Sequence, residues 1–288
     1  MKVLLTGATG YIGSSVLDRL LAEGHEVTAL VRAADKARAA EQAGASLLVG
    51  DVTDAALVRD AADAADGVIH TASTPEGDGP FIDAVLSAIG GSGKPFVHTG
   101  GIWSYGAGDD LTEQTPLDRA ALTRWRGAGE EKVLGADGVR GILVAPAIVY
   151  GRGGGLIRLL TDHDADAVTL IGDGSQHWTT VDVDDLAALY VRALEQGGAG
   201  ETYLAASGQN PTVRELGEAV AAGDGAAAVR EETPAESRER LGDGLADALL
   251  LDQQARGAKP RAELGWEPVA RPLVDQLADG TYLSARPS

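Results

Sequence analysis

The sequence predicts an α/β protein with a doubly wound parallel sheet and a smaller, mostly helical C-terminal part. Short apolar runs alternate with amphipathic stretches through the first half of the 288 residues. The runs are apolar throughout, which is typical of strands that are covered on both faces. A glycine-rich loop follows the first run and opens the first helical stretch. Strands that alternate with helices in this way favour right-handed βαβ units and a parallel sheet.

The individual elements follow from this alternation. The predicted strands cover residues 3–5, 26–31, 46–49, 67–70, 95–99, 139–144 and 202–205. The predicted helices cover residues 11–22, 35–43, 54–64, 81–89, 118–136 and the stretch from 181–185 through 195. Acidic residues at the start of the last helix suit the positive end of its dipole.

Composition and charge exclude several classes of protein. Lys and Arg number 24 against 43 Asp and Glu, a formal net charge of −19, so a nucleic-acid partner is not expected. Because the chain has no cysteine, it has no disulfide framework and no thiolate metal site. Its apolar runs are shorter than the roughly 20 residues of a membrane span. With a motif beginning at Thr6 and no room for a signal peptide, we expect a cytoplasmic protein without a membrane partner.

No metal site is expected either. Three acidic residues in the turn at 162–166 suggest calcium at first sight. The glycine and the terminal glutamate of an EF-hand loop are absent there, so a solvated turn is the better interpretation.

The glycine loop is the strongest functional signal. It reads Thr6-Gly7-Ala8-Thr9-Gly10-Tyr11-Ile12-Gly13 and joins a buried strand to a helix. Gly7 permits the tight turn, Gly10 lets a pyrophosphate approach the backbone, and Gly13 lets the helix pack on the sheet. The free amides at the helix start then bind the anion. A dinucleotide-binding Rossmann domain over residues 1–150, rejoined by 176–206, fits this context better than a glycine turn without a ligand.

The end of the second strand bears on the choice between NAD and NADP. A carboxylate about 20 residues beyond the loop accepts hydrogen bonds from the ribose diol in NAD-binding proteins. This chain has Leu30-Val31-Arg32 there. A planar guanidinium suits the oxygens of a 2′-phosphate, so we expect NADPH, with NADH as the alternative. The other interpretation is that Arg32 is a solvated charge at a strand end.

Several further motifs, in their order and spacing, resemble the extended short-chain dehydrogenases/reductases of the epimerase–dehydratase type. The motifs lie at 50–54, 70–73, 96–99, 105–106, 146–151, 181–187 and 264–268. The resemblance implies that Asp51 and Val52 hold the adenine and that Ala72 and Ser73 line the cofactor groove. It also implies that Pro146, Ile148 and Val149 flank the nicotinamide. Residues 151–175 and 207–288 would form a substrate-binding cap.

The chain departs from that family at its catalytic residues, which are normally a Ser or Thr, a Tyr and a Lys, the last two spaced Tyr-x-x-x-Lys. Gly101 stands where the Ser or Thr is expected. The Tyr and Lys positions hold Leu122 and Arg126 in one frame, or Thr123 and Gly127 in the other. The chain therefore resembles the atypical extended members, and among them ketoreductases of aromatic polyketide antibiotic pathways, such as those acting on angucyclinones.

Without the usual acid, a protein group, water or the substrate itself must neutralise the carbonyl oxygen during hydride transfer. We favour a phenol of the substrate, aided by Thr99 or Ser104. The candidate substrate-pocket residues, for which core packing is the alternative, are Trp103, Tyr105, Trp125, His177 and Trp178. The predicted function is an NADPH-dependent reductase of an aromatic ketone or quinone, acting as a monomer or homodimer. The alternative is a catalytically silent NADP(H) sensor, and a nucleotide-sugar epimerase fits less well because it needs the missing tyrosine.

Overall fold

A computed structural model describes residues 1–162, 167–225 and 228–284, so most of the acidic turn at 162–166 lies outside the described residues. The strands in chain order are β1 (Lys2–Thr6), β2 (Glu26–Val31), β3 (Ser46–Val49), β4 (Gly67–His70), β5 (Pro95–Thr99), β6 (Gly108–Leu111), β7 (Arg140–Pro146), β8 (Ile148–Tyr150), β9 (Val168–Thr169), β10 (Thr180–Asp182), β11 (Glu201–Ala205), β12 (Val229–Arg230) and β13 (Gln253–Ala255). The predicted strands of the first half all form, within a residue or two of their expected ends.

The main sheet has seven strands in the order β11-β7-β5-β4-β1-β2-β3. Each neighbouring pair in it is parallel. The chain moves outward in one direction from β1 to β3 and then continues from β4 in the other direction. The predicted doubly wound α/β fold is therefore confirmed. In such a sheet a ligand binds in the crevice where the direction reverses, at the carboxyl ends of the strands.

Helices cover both faces of this sheet. In chain order they are α1 (Tyr11–Ala22), α2 (Arg38–Ala43), α3 (Ala55–Ala64), α4 (Asp78–Ile89), α5 (Gly127–Leu134), α6 (Arg158–Thr161), α7 (Val183–Gln196), α8 (Val213–Asp224), α9 (Pro234–Leu241), α10 (Asp243–Leu249), α11 (Ala258–Leu264), α12 (Leu273–Ala278) and α13 (Thr281–Ser284). Helices α1, α2 and α7 share one core cluster with the sheet, and α3, α4 and α5 share another on the opposite face.

The prediction of one long helix over residues 118–136 is wrong. Ala121–Arg126 form a 3₁₀ segment, and α5 begins only at Gly127. Each glycine costs a helix interior about 1 kcal/mol relative to alanine, and this stretch contains Gly127 and Gly129. A side chain at Gly127 would also lie 3.1 Å from the guanidinium carbon of Arg119. A side chain at position 127 would therefore have to displace the guanidinium of Arg119 by a few tenths of an ångström.

A third apolar cluster lies in the C-terminal half, outside the main sheet. It joins α6, α8 and α12 with buried aromatic residues such as Tyr150, Trp178 and Tyr282. Three two-stranded parallel pairs, β8 with β10, β9 with β12, and β6 with β13, complete this part. Within the described ranges, no helix combines the length and the apolar character needed to cross a bilayer.

Candidate active site

A groove of about 650 Å³ lies at the carboxyl ends of β1 to β4, where the strand order reverses. The predicted cofactor-binding residues that line it are Gly7, Thr9, Gly10, Tyr11, Ile12, Gly13, Arg32, Asp51, Val52, Ala72 and Ser73. Residues from four successive strand ends thus converge on one elongated cavity. The structure brings these sequence motifs together as the resemblance implied.

The glycines of the loop have the geometry that a phosphate-binding turn requires. Gly7 has a φ of +77°, in the left-handed region that favours glycine. A Cβ at Gly13 would lie 2.0 Å from the carbonyl oxygen of Gly7, so only glycine lets α1 approach the turn this closely. A Cβ at Gly10 would meet that same oxygen at 3.2 Å and would otherwise project into open space. Gly10 therefore keeps the floor of the groove clear.

Two observations test whether these residues fit a dinucleotide. Helix α1 begins after Gly10 without a side-chain cap, and amides of a first helical turn have no partner within their own helix. The hydroxyl oxygen of Ser73 is buried without a hydrogen-bond partner in the described part of the chain. Unsatisfied donors beside a cavity fit an anionic, oxygen-rich ligand. A bound dinucleotide would place its pyrophosphate at the start of α1 and supply a reversible hydride carrier.

Arg32 and Asp51 mark the adenosine end of the groove. Arg32 is exposed and has no ion-pair partner within the described ranges. Asp51 accepts hydrogen bonds from the amide and the hydroxyl of Thr53, at 2.9 and 2.7 Å, and these lower its pKa, as does the charge of Arg32. Oδ1 of Asp51 is therefore engaged by Thr53, and the guanidinium of Arg32 is available to a ligand.

Tyr11 has a second role that its place in the motif did not show. Its ring lines the groove, and its hydroxyl donates a 2.8 Å hydrogen bond to the carbonyl oxygen of Gly151. Its ring also packs against Gly154, whose Cβ would lie 2.7 Å from it. Tyr282 donates to the carbonyl of Gly154 from the other side. The loop 151–155 is thus hydrogen-bonded to the start of α1, although the two are 140 positions apart in the sequence.

The residues expected to flank the nicotinamide lie further along the sheet. Pro146 ends β7, and Ile148 and Val149 belong to β8, which pairs with β10. They are buried and do not line the groove itself. Since β7 lies two strands beyond β4 in the sheet, a role for these residues requires that the ligand extend past β5. Their contact with the nicotinamide stays a prediction.

Of the two catalytic candidates, Thr99 is fully engaged. Its hydroxyl donates to the carbonyl oxygen of His70 at 2.7 Å. It also lies 2.7 Å from the hydroxyl of Tyr190. Because the Thr99 hydrogen serves His70, Tyr190 is the donor of this second bond. A catalytic role for Thr99 stays a prediction, but donation to a substrate would break an existing hydrogen bond.

Ser104 is the candidate with a free hydroxyl. It is 4% exposed, and its oxygen has no hydrogen-bond partner within the described residues. It lines a second cavity of about 200 Å³ together with Gly100, Gly101 and Tyr105. These three residues follow the carboxyl end of β5. A polar group that entered this cavity would find an unsatisfied hydroxyl.

No nearby tyrosine has the pKa of a general acid. Burial raises the pKa of Tyr11, Tyr105 and Tyr190 well above that of free tyrosine. A general acid works best with a pKa near the operating pH, so a raised phenol pKa is unfavourable. Leu122, which holds the position of the missing tyrosine in one of the two frames, is exposed and lies next to Gly244 of α10.

The structure does not gather the five predicted substrate-pocket residues at one cavity wall. Tyr105 lines the second cavity, and Trp103 is half-buried between two core clusters. Trp178 is 2% exposed and donates its indole N–H to the carbonyl of Leu249, so it belongs to the core of the C-terminal half. His177 pairs with Asp252 at 2.9 Å. Trp125 is half-buried under the guanidinium of Arg126.

A buried polar cluster that the sequence did not predict lies under the groove. His70 Nε2 lies 3.2 Å from Asp78 Oδ1, and His98 Nε2 lies 3.6 Å from Asp78 Oδ2. Thr6 Oγ1 is 2.6 Å from His70 Nδ1. Burial lowers the pKa of His98 to about 3, and the pKa of Asp78 is also lowered. The cluster is therefore a buried carboxylate between two neutral imidazoles.

This cluster is hydrogen-bonded to the floor of the groove. Asp78 Oδ1 accepts from the amide of Thr74, and Thr74 lines the groove. The only signal for it in the sequence was the placing of His70 and His98 at the ends of neighbouring strands. Their ligand atoms and those of Asp78 lie close enough together to hold a metal ion. Both imidazole nitrogens of His70 already have hydrogen-bond partners. Hydrogen bonding therefore explains the position of this side chain without a metal ion.

Comparisons with known proteins agree with this geometry. The model of the NAD dependent epimerase/dehydratase family matches residues 3–206, and the chain belongs to that family. It is 29% identical to the UDP-glucose 4-epimerase of Mycolicibacterium smegmatis, over 93% of this chain and 94% of the relative. It is 25% identical to the 2-alkyl-3-oxoalkanoate reductase of Stenotrophomonas maltophilia, over 100% of this chain and 92% of the relative.

Solved structures share the fold. DesIV, the dTDP-glucose 4,6-dehydratase of Streptomyces venezuelae crystallised with NAD and TYD, superposes with a TM-score of 0.81 at 22% identity. The match covers 99% of this chain and 97% of that chain. The family match and the curated relatives support an enzyme of the oxidoreductase type. The structural neighbour DesIV was crystallised with NAD bound.

Proposed function

We propose that the protein is an NADPH-dependent reductase that transfers hydride to a ketone or quinone carbonyl of an aromatic, polyketide-type molecule. The observation that carries the proposal is the groove itself. One cavity is lined by a complete glycine turn, an uncapped helix start and Arg32, whose charge has no ion-pair partner in the described part of the chain. The relatives include a reductase of a ketone-bearing substrate as well as epimerases and dehydratases.

NADPH is preferred over NADH because of the charges at the adenosine end. The exposed guanidinium of Arg32 can pair bidentately with a 2′-phosphate. One carboxylate oxygen of Asp51, Oδ1, already accepts two hydrogen bonds from Thr53. Replacing Arg32 with alanine should remove the preference by weakening NADPH binding and leaving NADH binding little changed. A ratio of the two dissociation constants that Arg32→Ala does not alter would contradict the NADPH assignment.

The proposed substrate class is supported by the lack of an ordinary proton donor among the described residues near the end of β5. Thr99 is engaged, and burial raises the pKa of Tyr105. A carbonyl next to a phenol, or part of a quinone, needs less help because the negative charge is neutralised or delocalised within the substrate. General acid catalysis by a side chain contributes typically about 10²–10⁴-fold. A substrate that carries its own phenol compensates for its loss, with Ser104 as the residue free to assist.

The test is NADPH oxidation with a panel of ketones of similar size. Hydroxylated aromatic ketones and quinones should be reduced, and an aliphatic ketone should react at least about 10²-fold more slowly. Rapid reduction of the aliphatic ketone, with a pH profile that reports an enzymic acid, would refute the substrate class. Tight NADPH binding without turnover of any member would favour a cofactor sensor instead.

A further inference from the structure

Arg126 is a half-buried cation without a matching anion. In the described ranges its charge has no carboxylate within ion-pair distance, whereas the nearby Arg119 pairs with Glu130 at 2.8 Å. Its guanidinium lies 4.7 Å from the centre of the Trp125 ring, and Nη1 donates to the carbonyl of Thr99 at 3.0 Å. A guanidinium has five N–H donors, so most of them remain for another acceptor.

The position of this charge is set by the sheet. Thr99 is the last residue of β5, the strand next to β4. The groove covers the strand ends up to the loop after β4. A dinucleotide that fills it with its adenosine half and pyrophosphate must extend its reactive half over the next strand end. The reacting carbonyl would therefore come to the end of β5, beside Arg126.

The charge of Arg126 affects the pKa values of two titratable side chains, one on each side of β5. His98 lies 3.6 Å from Asp78 at the start of α4, and Tyr190 of α7 belongs to the core cluster on the opposite face of the sheet. The positive charge of Arg126 contributes to lowering the pKa of His98 and opposes the burial-induced rise in the pKa of Tyr190. Both groups therefore lie within electrostatic reach of Arg126 at the end of β5.

We propose that Arg126 is a catalytic residue, whose guanidinium binds the carbonyl oxygen of the substrate and stabilises the negative charge that develops there. This inference rests on the proposed function. The bound reduced dinucleotide would supply a hydride, with its electron pair, to the carbonyl carbon. The C=O π pair moves to the oxygen, which then takes a proton from water or from the phenol of the substrate. Arg126 stays charged throughout and is not the proton donor.

The same site should favour a phenolate over a phenol, which allows a test without turnover. The probe is 2-hydroxyanthraquinone, whose colour reports ionisation of its phenol, bound to the protein in the presence of NADP⁺. An opposite charge within about 4–6 Å lowers the pKa of an acid by roughly 1–3 units. The wild type should therefore lower the pKa of the bound dye by at least about one unit.

Variants separate this role from a structural one. Arg126→Gln should abolish most of the dye shift and reduce kcat roughly 10²–10³-fold, with NADPH affinity and melting temperature close to wild type. Arg126→Lys should retain a shift. Arg124→Gln, an exposed arginine on the same 3₁₀ segment, removes an equal charge and should behave like wild type. If Arg126→Gln fails to fold, Arg126→Lys decides, since its loss of the dye shift overturns the proposal.

Other results also refute it. An equal dye shift in the wild type and Arg126→Gln, equal activities of the two, or no dye binding by the NADP⁺-loaded wild type would each overturn the role of Arg126. Wild-type reduction of aromatic ketones that is unaffected by Arg126→Gln would leave the proposed function intact. Failure of the wild type to bind NADPH at all would instead refute the proposed function.

Discussion

A methyl group at Gly10 should weaken cofactor binding without weakening the fold. Gly10 has a φ of −89°, which alanine adopts without strain. The added Cβ would meet the carbonyl oxygen of Gly7 at 3.2 Å, a contact that calls for a shift of only a few tenths of an ångström. On its other side the methyl group occupies the floor of the groove, where the pyrophosphate must approach the amides of α1.

The magnitude follows from the hydrogen bonds that the methyl group displaces. One hydrogen bond to a charged phosphate contributes about 1.5–3 kcal/mol. Its loss raises the dissociation constant of NADPH roughly 10- to 150-fold. The assay is a fluorescence titration of NADPH with wild type and Gly10→Ala, with the melting temperature of each free protein measured beside it.

Two other glycines provide the comparison. Gly79→Ala adds a methyl group at an exposed position of α4 with nothing within 4 Å, so NADPH affinity should stay at the wild-type value. Gly13→Ala places its Cβ 2.0 Å from the carbonyl oxygen of Gly7 and should cost about 1–3 kcal/mol of folding stability or more. An unchanged dissociation constant for Gly10→Ala would refute the assignment of the groove to the pyrophosphate.

Three further predictions concern stability. Burial raises the pKa of Asp182 to about 6, above its value in the unfolded chain, so the free energy of unfolding of the wild type falls as this carboxyl ionises between pH 4 and pH 6. Asp182→Asn does not titrate and should gain roughly 1 kcal/mol relative to wild type over that range in denaturant melts. Burial lowers the pKa of His98 to about 3, so below pH 6.5 the unfolded chain takes up a proton that the folded protein does not. The free energy of unfolding of the wild type should therefore fall by up to about 2 kcal/mol between pH 6.5 and pH 5, and that of His98→Gln should not; parallel pH curves would contradict this. Arg119→Met leaves the buried Glu130 unpaired and should cost about 3 kcal/mol, whereas the double variant Arg119→Met/Glu130→Leu should recover most of it.

The sheet and the glycine turn were predictable because their signals are local. A buried strand shows as an apolar run, and the turn shows as three glycines at fixed spacing between a strand and a helix. Arg32 and Asp51 follow strand ends, and parallel strands bring such ends to one edge. Residues from four separate motifs therefore reach the groove as expected.

The rest depends on contacts between distant residues, which a local pattern does not encode. The bond from Tyr11 to Gly151 spans 140 positions, and the bond from Arg126 to Thr99 joins a 3₁₀ segment to a strand end. One helix was predicted over 118–136, whereas the contact of Arg119 with Gly127, where the 3₁₀ segment ends and α5 begins, is a tertiary effect that a local pattern does not show. Trp178 looked the same in the sequence as a pocket residue and as a core residue, and only the packing distinguishes them.

A crystal structure of the protein with NADP⁺ and a hydroxylated aromatic ketone tests the central claim most directly. The account predicts the pyrophosphate on the amides at the start of α1 and the 2′-phosphate beside Arg32. It also predicts the carbonyl oxygen next to the guanidinium of Arg126, with no tyrosine hydroxyl within hydrogen-bond distance of that oxygen. A groove without dinucleotide at saturating NADP⁺, or a tyrosine hydroxyl bonded to the carbonyl oxygen, would contradict it.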